Sequence, residues 1–185
     1  MILEGLVTTL NTDDTINVAP MGATVGSDMK ALVLRPYRTS QTYRNLKERP
    51  EGVFHVTDDV LLLARAAIHA LDETPETFEA AEVRGRVLTD ACRWYEFRVE
   101  WWDERQEPPR AKAEVVHSGR LRDFFGLNRA KHAVVEAAIL ASRVEFLPKT
   151  QILAELDRLE EPVQKTGGPE EQKAFDLLRR FVAES

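Results

Sequence analysis

Two hydrophobic rhythms divide the chain. Before Gly126 the apolar positions sit in short, β-branched runs broken by turn clusters, and afterwards they recur at helical spacing. Ile2 to Leu10 reads as a strand, Asn11-Thr12-Asp13-Asp14 as a turn, and Ile16 to Pro20 as the returning strand of a hairpin. Ala31 to Leu34 is a short strand that Pro36 closes by holding Arg35 extended. Thr39 to Glu48 predicts a helix capped by Thr39 or Ser40 and ended by Pro50-Glu51-Gly52. Val53 to Thr57 and Val83 to Leu88 read as strands. Asp59 to Ala70 reads as a helix with its acidic residue at the favoured end. In Trp94 to Trp102, Tyr95, Phe97, Val99 and Trp101 alternate with Glu96, Arg98 and Glu100. That period of two puts Trp101 on the core face and Trp94 and Trp102 on the charged face, where interface packing suits them. Ala111 to His117 pairs back across Pro108-Pro109.

Asn128 to Ser142 is nearly all apolar, which predicts a buried helix. Ile152, Leu153, Leu156 and Leu159 mark a second helix. Gly167-Gly168-Pro169 breaks it, and Phe175, Leu178, Phe181 and Val182 mark a third. Strands first and helices last is an α+β order, mainly β. So many antiparallel strands in so short a chain favour a small closed barrel, since closure removes exposed edges. The expected division is a barrel over residues 1–125 and a helical extension over 126–185, packed on the barrel or on a second copy.

Composition narrows the function classes. With 185 residues and 43% hydrophobic content the chain can bury a real core. A formal charge of −6 disfavours nucleic acid as the main partner, because an acidic chain gains nothing from counterion release. The lone Cys92 excludes an internal disulfide and fits a reducing compartment. No leader-like or membrane-length apolar segment is present, so the expected location is cytoplasmic. There is no glycine-rich dinucleotide fingerprint, no phosphate-binding loop and no nucleophile elbow. His55, His69, His117 and His132 lack metal-ligand spacing.

One segment does carry chemistry. Arg35-Pro36-Tyr37-Arg38-Thr39-Ser40-Gln41-Thr42-Tyr43-Arg44-Asn45 joins a strand end to a helix start dense in hydroxyls and guanidiniums. Unpaired amides at a helix start attract phosphate, and arginine adds charge-assisted donors. The same residues also read as helix caps and solvated surface charge. A second oddity is Arg129, Lys131 and His132 at the start of the Asn128 helix, where cations oppose the macrodipole. They face either an anion, contacted by Asn128, Arg129 and Lys131, or a carboxylate of the chain such as Glu114 or Asp123.

Four segments in order resemble the FMN-binding split-barrel superfamily. They are Ile2 to Gly5, Asn17-Val18-Ala19-Pro20-Met21-Gly22, Arg35 to Asn45, and Val53 to Asp58. The nearest likeness is to an archaeal and bacterial family catalogued as a domain of unknown function, which Phe125 to Ala138 also resembles. The resemblance implies a split barrel with a C-terminal helical extension, forming a homodimer with FMN near the subunit interface. By position, Arg35, Thr39, Ser40 and Thr42 would hold the phosphate, with Asn45 nearby. Asn17, Ala19, Pro20, Met21 and Gly22 would follow the isoalloxazine edge, and Val56, Thr57 and Asp58 would border the ring or ribityl chain. The expected activity is a flavin-reductase type of oxidoreductase, drawing on NAD(P)H or another small redox substrate, with His55 and His117 as candidate proton donors. The alternative is a non-enzymatic flavin-binding or assembly module.

Overall fold

The computed structural model describes all 185 residues, which form two compact units. The first comprises Met1–Thr57 and Thr74–Phe124. Its elements are β1 (Ile2–Leu10), β2 (Ile16–Val25), β3 (Ala31–Leu34), α1 (Gln41–Glu48), β4 (Glu51–Val56), β5 (Thr77–Glu79), β6 (Arg86–Leu88), β7 (Arg93–Asp103) and β8 (Arg110–Arg120). Six strands close a barrel in the order β1-β2-β3-β8-β7-β4, and β5 and β6 form a separate hairpin. The barrel interior is filled by residues such as Val7, Leu32, Leu34, Leu46, Phe54 and Phe97. Burying each such side chain is worth about 1.5–3 kcal/mol. At Gly5 a Cβ would collide with the His55 carbonyl, so only glycine lets β1 and β4 approach this closely there.

Two sequence expectations change here, both through local irregularity. The β7–β8 ladder carries register shifts at Glu96/Phe97 and Val99/Trp101. A bulge reverses which face each following side chain occupies. Trp101 is therefore 53% exposed, while Trp102 packs against the barrel core and meets Tyr43 edge-on at 5.3 Å. Trp94 is also packed within the unit, over Gly119 and 5.6 Å from Phe78. The second change concerns Val83 to Leu88, of which only Arg86–Leu88 is strand. The amides of Ala81, Glu82 and Val83 turn instead toward the Glu96 carboxylate.

The second unit comprises Asp58–Glu73 and Phe125–Ser185. It holds α2 (Val60–Ala67), α3 (Arg129–Ala141), α4 (Lys149–Thr166) and α5 (Pro169–Glu184). Its first helix is thus drawn from a stretch of chain between two barrel strands. Asp59 caps α2 by accepting from the Leu62 amide at 2.9 Å. The apolar stripe of α3 (Ala130, Ala133, Val134, Ala137, Ala138, Ala141) is buried, and its small side chains let neighbouring helices approach closely. Ile152 and Leu156 of α4 and Phe175, Leu178 and Val182 of α5 fill the rest. No helix is long and apolar enough to cross a membrane.

Candidate functional site

The turn between β3 and α1 is built by short-range chemistry. Ser40 is the N-cap: its Oγ accepts from the Tyr43 amide at 3.1 Å and donates to the Tyr37 carbonyl at 2.7 Å. The Gln41 and Thr42 amides at the start of the helix make no hydrogen bond within the chain. Three arginines crowd this turn, and two are engaged. Arg38 pairs with Glu104 at 2.7 Å and Glu107 at 3.2 Å, and Arg44 is spent on Gln41 and the Thr39 carbonyl. Arg35 is exposed and has no ion pair or hydrogen bond within the chain. Thr39 is exposed, with only its carbonyl engaged.

The helix is fastened on two sides. On its buried side, Asn17 Nδ2 donates to Thr42 Oγ1 and to Thr9 Oγ1, both at 3.1 Å. Asn45 Nδ2 donates to Thr9 Oγ1 and Asn11 Oδ1, both at 2.9 Å, and Gln41 Nε2 donates to Asn45 Oδ1 at 2.7 Å. On its outer side, Glu104 collects Arg38, Tyr43 and Lys47, and Lys47 lies 5.1 Å over the Trp102 ring. Hydrogen bonding from Lys47, together with Arg38 and Tyr43, holds the Glu104 carboxyl below its ordinary value against the cost of desolvation.

Beside this turn runs an open strand edge. β2 pairs with β1 along Ile16 to Thr24, but with β3 only at Thr24 and Val25. From Ile16 to Ala23 its other edge pairs with no strand, so backbone donors and acceptors remain available there. Ala19, Pro20 and Met21 lie on this stretch, half-buried. At Gly22 the space a Cβ would take is bounded by Glu4 and Ile2 of the same chain. Val56 packs on the barrel core, its carbonyl accepts from the Cys92 amide at 2.8 Å, and Thr57 follows it.

The remaining expected site residues belong to the helical unit. Asn128 caps α3, accepting from the Lys131 amide at 3.1 Å and donating to the Thr166 carbonyl at 3.0 Å. Lys131 Nζ donates to the Asp58 carbonyl at 2.6 Å and pairs with Glu171 at 3.0 Å. Asp58 Oδ2 accepts from the Phe125 amide at 2.7 Å. For Lys131 the answering group is therefore a carboxylate of the chain, from α5 rather than Glu114 or Asp123. Arg129 is exposed and without an ion pair.

Sequence reasoning missed Thr9, Asn11 and Gln41, which orient Asn17, Thr42 and Asn45. Only the Gln41-to-Asn45 spacing of one helical turn signalled them. It also left His55 open as a proton donor. His55 is fully buried, with Nδ1 3.2 Å from the Leu6 carbonyl and Nε2 3.1 Å from the Leu88 amide. An amide can only donate, so Nε2 accepts and Nδ1 carries the proton. Burial pulls the imidazole down to about 4, only partly offset by the Leu6 carbonyl. It is a structural, neutral histidine.

The barrel topology, the unpartnered strand edge and the anion-ready helix start define a split-barrel protein. The chain belongs to the family described as "Protein of unknown function (DUF447)". The N-terminal domain model matches residues 3–122 and its companion matches residues 128–180. Among solved structures, an FMN-bound member of the same family from Methanosarcina mazei superposes with a TM-score of 0.83 at 23% identity, covering 97% of this chain and 94% of that one. The styrene monooxygenase flavin reductase of Pseudomonas putida matches with a TM-score of 0.56 at 12% identity, over 65% of this chain and 82% of that one. The 2-nitrobenzoate 2-nitroreductase of Pseudomonas fluorescens matches at 0.54 and 20% identity, over 63% and 64%. No curated protein matches the sequence.

Proposed function

We propose that the chain binds FMN at the β3–α1 turn and acts, as a homodimer, as an oxidoreductase of the flavin-reductase type. The observation that carries this is the Asn17–Thr42 hydrogen bond of 3.1 Å. It ties a strand edge without a partner to a helix start whose first amides are unbonded, in a turn that also leaves Arg35 unpaired. This donor set fits a phosphate monoester. Arg35 would supply planar charged donors, Thr39 a hydroxyl, and Gln41 and Thr42 their amides, aided by the helix dipole. Ser40, Thr42 and Asn45 would keep that geometry through the cap and the polar network. The backbone of Asn17 to Gly22 would meet the polar rim of the ring, with Val56 and Thr57 flanking it. Bound FMN would supply the redox chemistry, and the chain would position it and shield it from water.

The FMN-bound relative and the flavin reductases that share the fold support this reading. The dimer is supported by Phe125 and Leu127, which are 86% and 88% exposed in the single chain and would gain from burial against a second copy. Titration with FMN, followed by quenching of flavin fluorescence, tests the cofactor. Saturable FMN binding that riboflavin matches only weakly is the expected result, and no quench at all overturns it. Anaerobic mixing of the loaded protein with NADH or NADPH then tests the reaction. A yellow protein that neither reductant bleaches is a flavin-binding module instead.

A further inference from the structure

Away from the β3–α1 turn, the barrel unit carries a concavity of about 650 Å³. Ligand clefts typically measure roughly 300–1,000 Å³. One wall is the tip of the β1–β2 hairpin, with Asp14, Thr15 and Ile16. The other is the β5–β6 hairpin with the part of its loop from Val83 to Arg86. Thr8 Oγ1 holds β6 against β1 by donating to the Arg86 carbonyl at 2.6 Å.

The second wall is irregular backbone, yet it is rigidly anchored. Glu96, 1% exposed, accepts from the amides of Ala81 at 3.0 Å, Glu82 at 2.6 Å and Val83 at 3.3 Å, and from the Trp94 indole at 3.2 Å. Glu51 accepts from the Arg84 amide at 3.1 Å, and Arg98 donates to the Glu82 carbonyl. Burying a carboxylate is costly unless it is fully hydrogen-bonded. The same loop packs Val83 and Ala80 on Val53 of the barrel and Val87 of β6, so the groove wall is fixed by apolar contacts as well as by hydrogen bonds.

The lining is chemically graded. Half-buried Ile16, flanked by the edges of the largely buried Leu10 and Val83, gives a narrow apolar surface. Arg84 and Arg86 bring two guanidiniums, each resting on an exposed carboxylate: Asp14 at 2.5 Å and Glu79 at 3.6 Å. Exposed pairs of this kind are worth about 0–1 kcal/mol, so a phosphate can take over the guanidiniums at small cost. Asp14 also has Arg49 at 3.3 Å, so it keeps a cationic partner when Arg84 turns to a ligand. Freed carboxylates are acceptors suited to ribose hydroxyls.

We propose that this groove binds a nucleoside phosphate, its base on the apolar surface, its phosphate on Arg84 and Arg86, and its ribose hydroxyls toward Asp14 and Glu79. The ligand could come from a free adenine nucleotide or from the adenosine half of a pyridine dinucleotide. The second would exploit the continuity of β2, which lines the groove at Ile16 and enters the polar network at Asn17.

Calorimetric titration of the full-length protein with AMP, ADP-ribose and adenosine tests the site, independently of the flavin reading. AMP and ADP-ribose should bind and adenosine should bind at least tenfold more weakly. R84Q/R86Q should weaken AMP by about tenfold or more, the effect of losing charge-assisted hydrogen bonds. Ala80→Trp, which fills the groove and keeps both arginines, should weaken all three, while FMN affinity is retained in both variants. A preference of ADP-ribose over AMP by tenfold or more points to the dinucleotide as the source, and equal affinity to the free nucleotide. Absence of AMP and ADP-ribose binding at millimolar concentration overturns the proposal. So does AMP binding that survives both variants, or loss of FMN affinity in parallel, which would place the flavin itself in the groove.

Discussion

The barrel unit and the helical unit dispose of charge in different ways. In the barrel, two buried ionisable groups are met by backbone: His55 by the Leu6 carbonyl and Leu88 amide, Glu96 by three consecutive amides. In the helical unit, the half-buried cation Lys131 is met by a carboxylate, Glu171, as well as by the Asp58 carbonyl. The two basic helix starts differ in the same spirit. At that of α3, Lys131 and the Ala130 and Lys131 amides are answered from within the unit and Arg129 stays exposed, while that of α1 leaves Arg35 unused beside unbonded amides. Basic residues at a helix start are thus one signal with two outcomes: each start keeps one unpaired arginine, but only that of α1 keeps unbonded amides beside it.

Acid is the strongest way to separate the two units. The folded value of His55 is depressed to about 4 from 6.5, so the unfolded chain binds more protons between those values. Its contribution to stability is complete above pH 6.5 and is lost as pH falls toward 4, by about 3 kcal/mol in all. Glu171 acts lower. Desolvation would raise its carboxyl, but Lys131 and the Gly168 amide outweigh that and depress it, so its contribution persists until pH falls below the ordinary carboxylate range. Hydrogen exchange between pH 7.5 and 5 should therefore show β1, β4 and β6 losing protection before α3 and α5. The reverse order would break the comparison.

The next test sets Arg35 against Arg129. R35Q should weaken FMN by about tenfold to a hundredfold, the loss of charged hydrogen bonds worth roughly 1.5–3 kcal/mol, and leave riboflavin unchanged. R129Q should change FMN affinity by less than threefold. Equal losses in the two variants would mean that α3 also serves the anion. Smaller again, K131M should lower stability by about 1–2 kcal/mol by leaving Glu171 half-satisfied. Denaturant melts of K131M beside R129Q, whose charge is solvated, measure that difference. Smallest of all, W101T should shift the stability of the monomer by at most about 0.5 kcal/mol, because its ring is outside the core. A loss of 2 kcal/mol or more would mean that Trp101 is buried in solution, as a dimer contact would bury it.

Much of the candidate site could be read from neighbouring residues alone. The strand end at Pro36, the cap at Ser40 and the cluster of hydroxyls and guanidiniums all follow from chemistry acting over a few residues. What could not be read is which of those groups were already engaged. Glu104 and Glu107 neutralise Arg38 from more than sixty positions away, and Thr9 and Asn11 capture Asn45 from the first hairpin. The amphipathic alternation of β7 also misled after Val99, since one bulge moved Trp101 out and Trp102 in.

By itself, then, the sequence determined most of the succession of strands and helices, the cap at Ser40 and the hydroxyls and guanidiniums of the β3–α1 turn, but not the short β5, because propensity, capping and period act between residues close along the chain. Only the tertiary structure decided that Arg35 alone among the turn's arginines stays free, that Lys131 belongs to Glu171 and that Glu96 is buried under an irregular loop. Those pairings depend on strand register and helix packing, where a shift of one residue exchanges the inside for the outside.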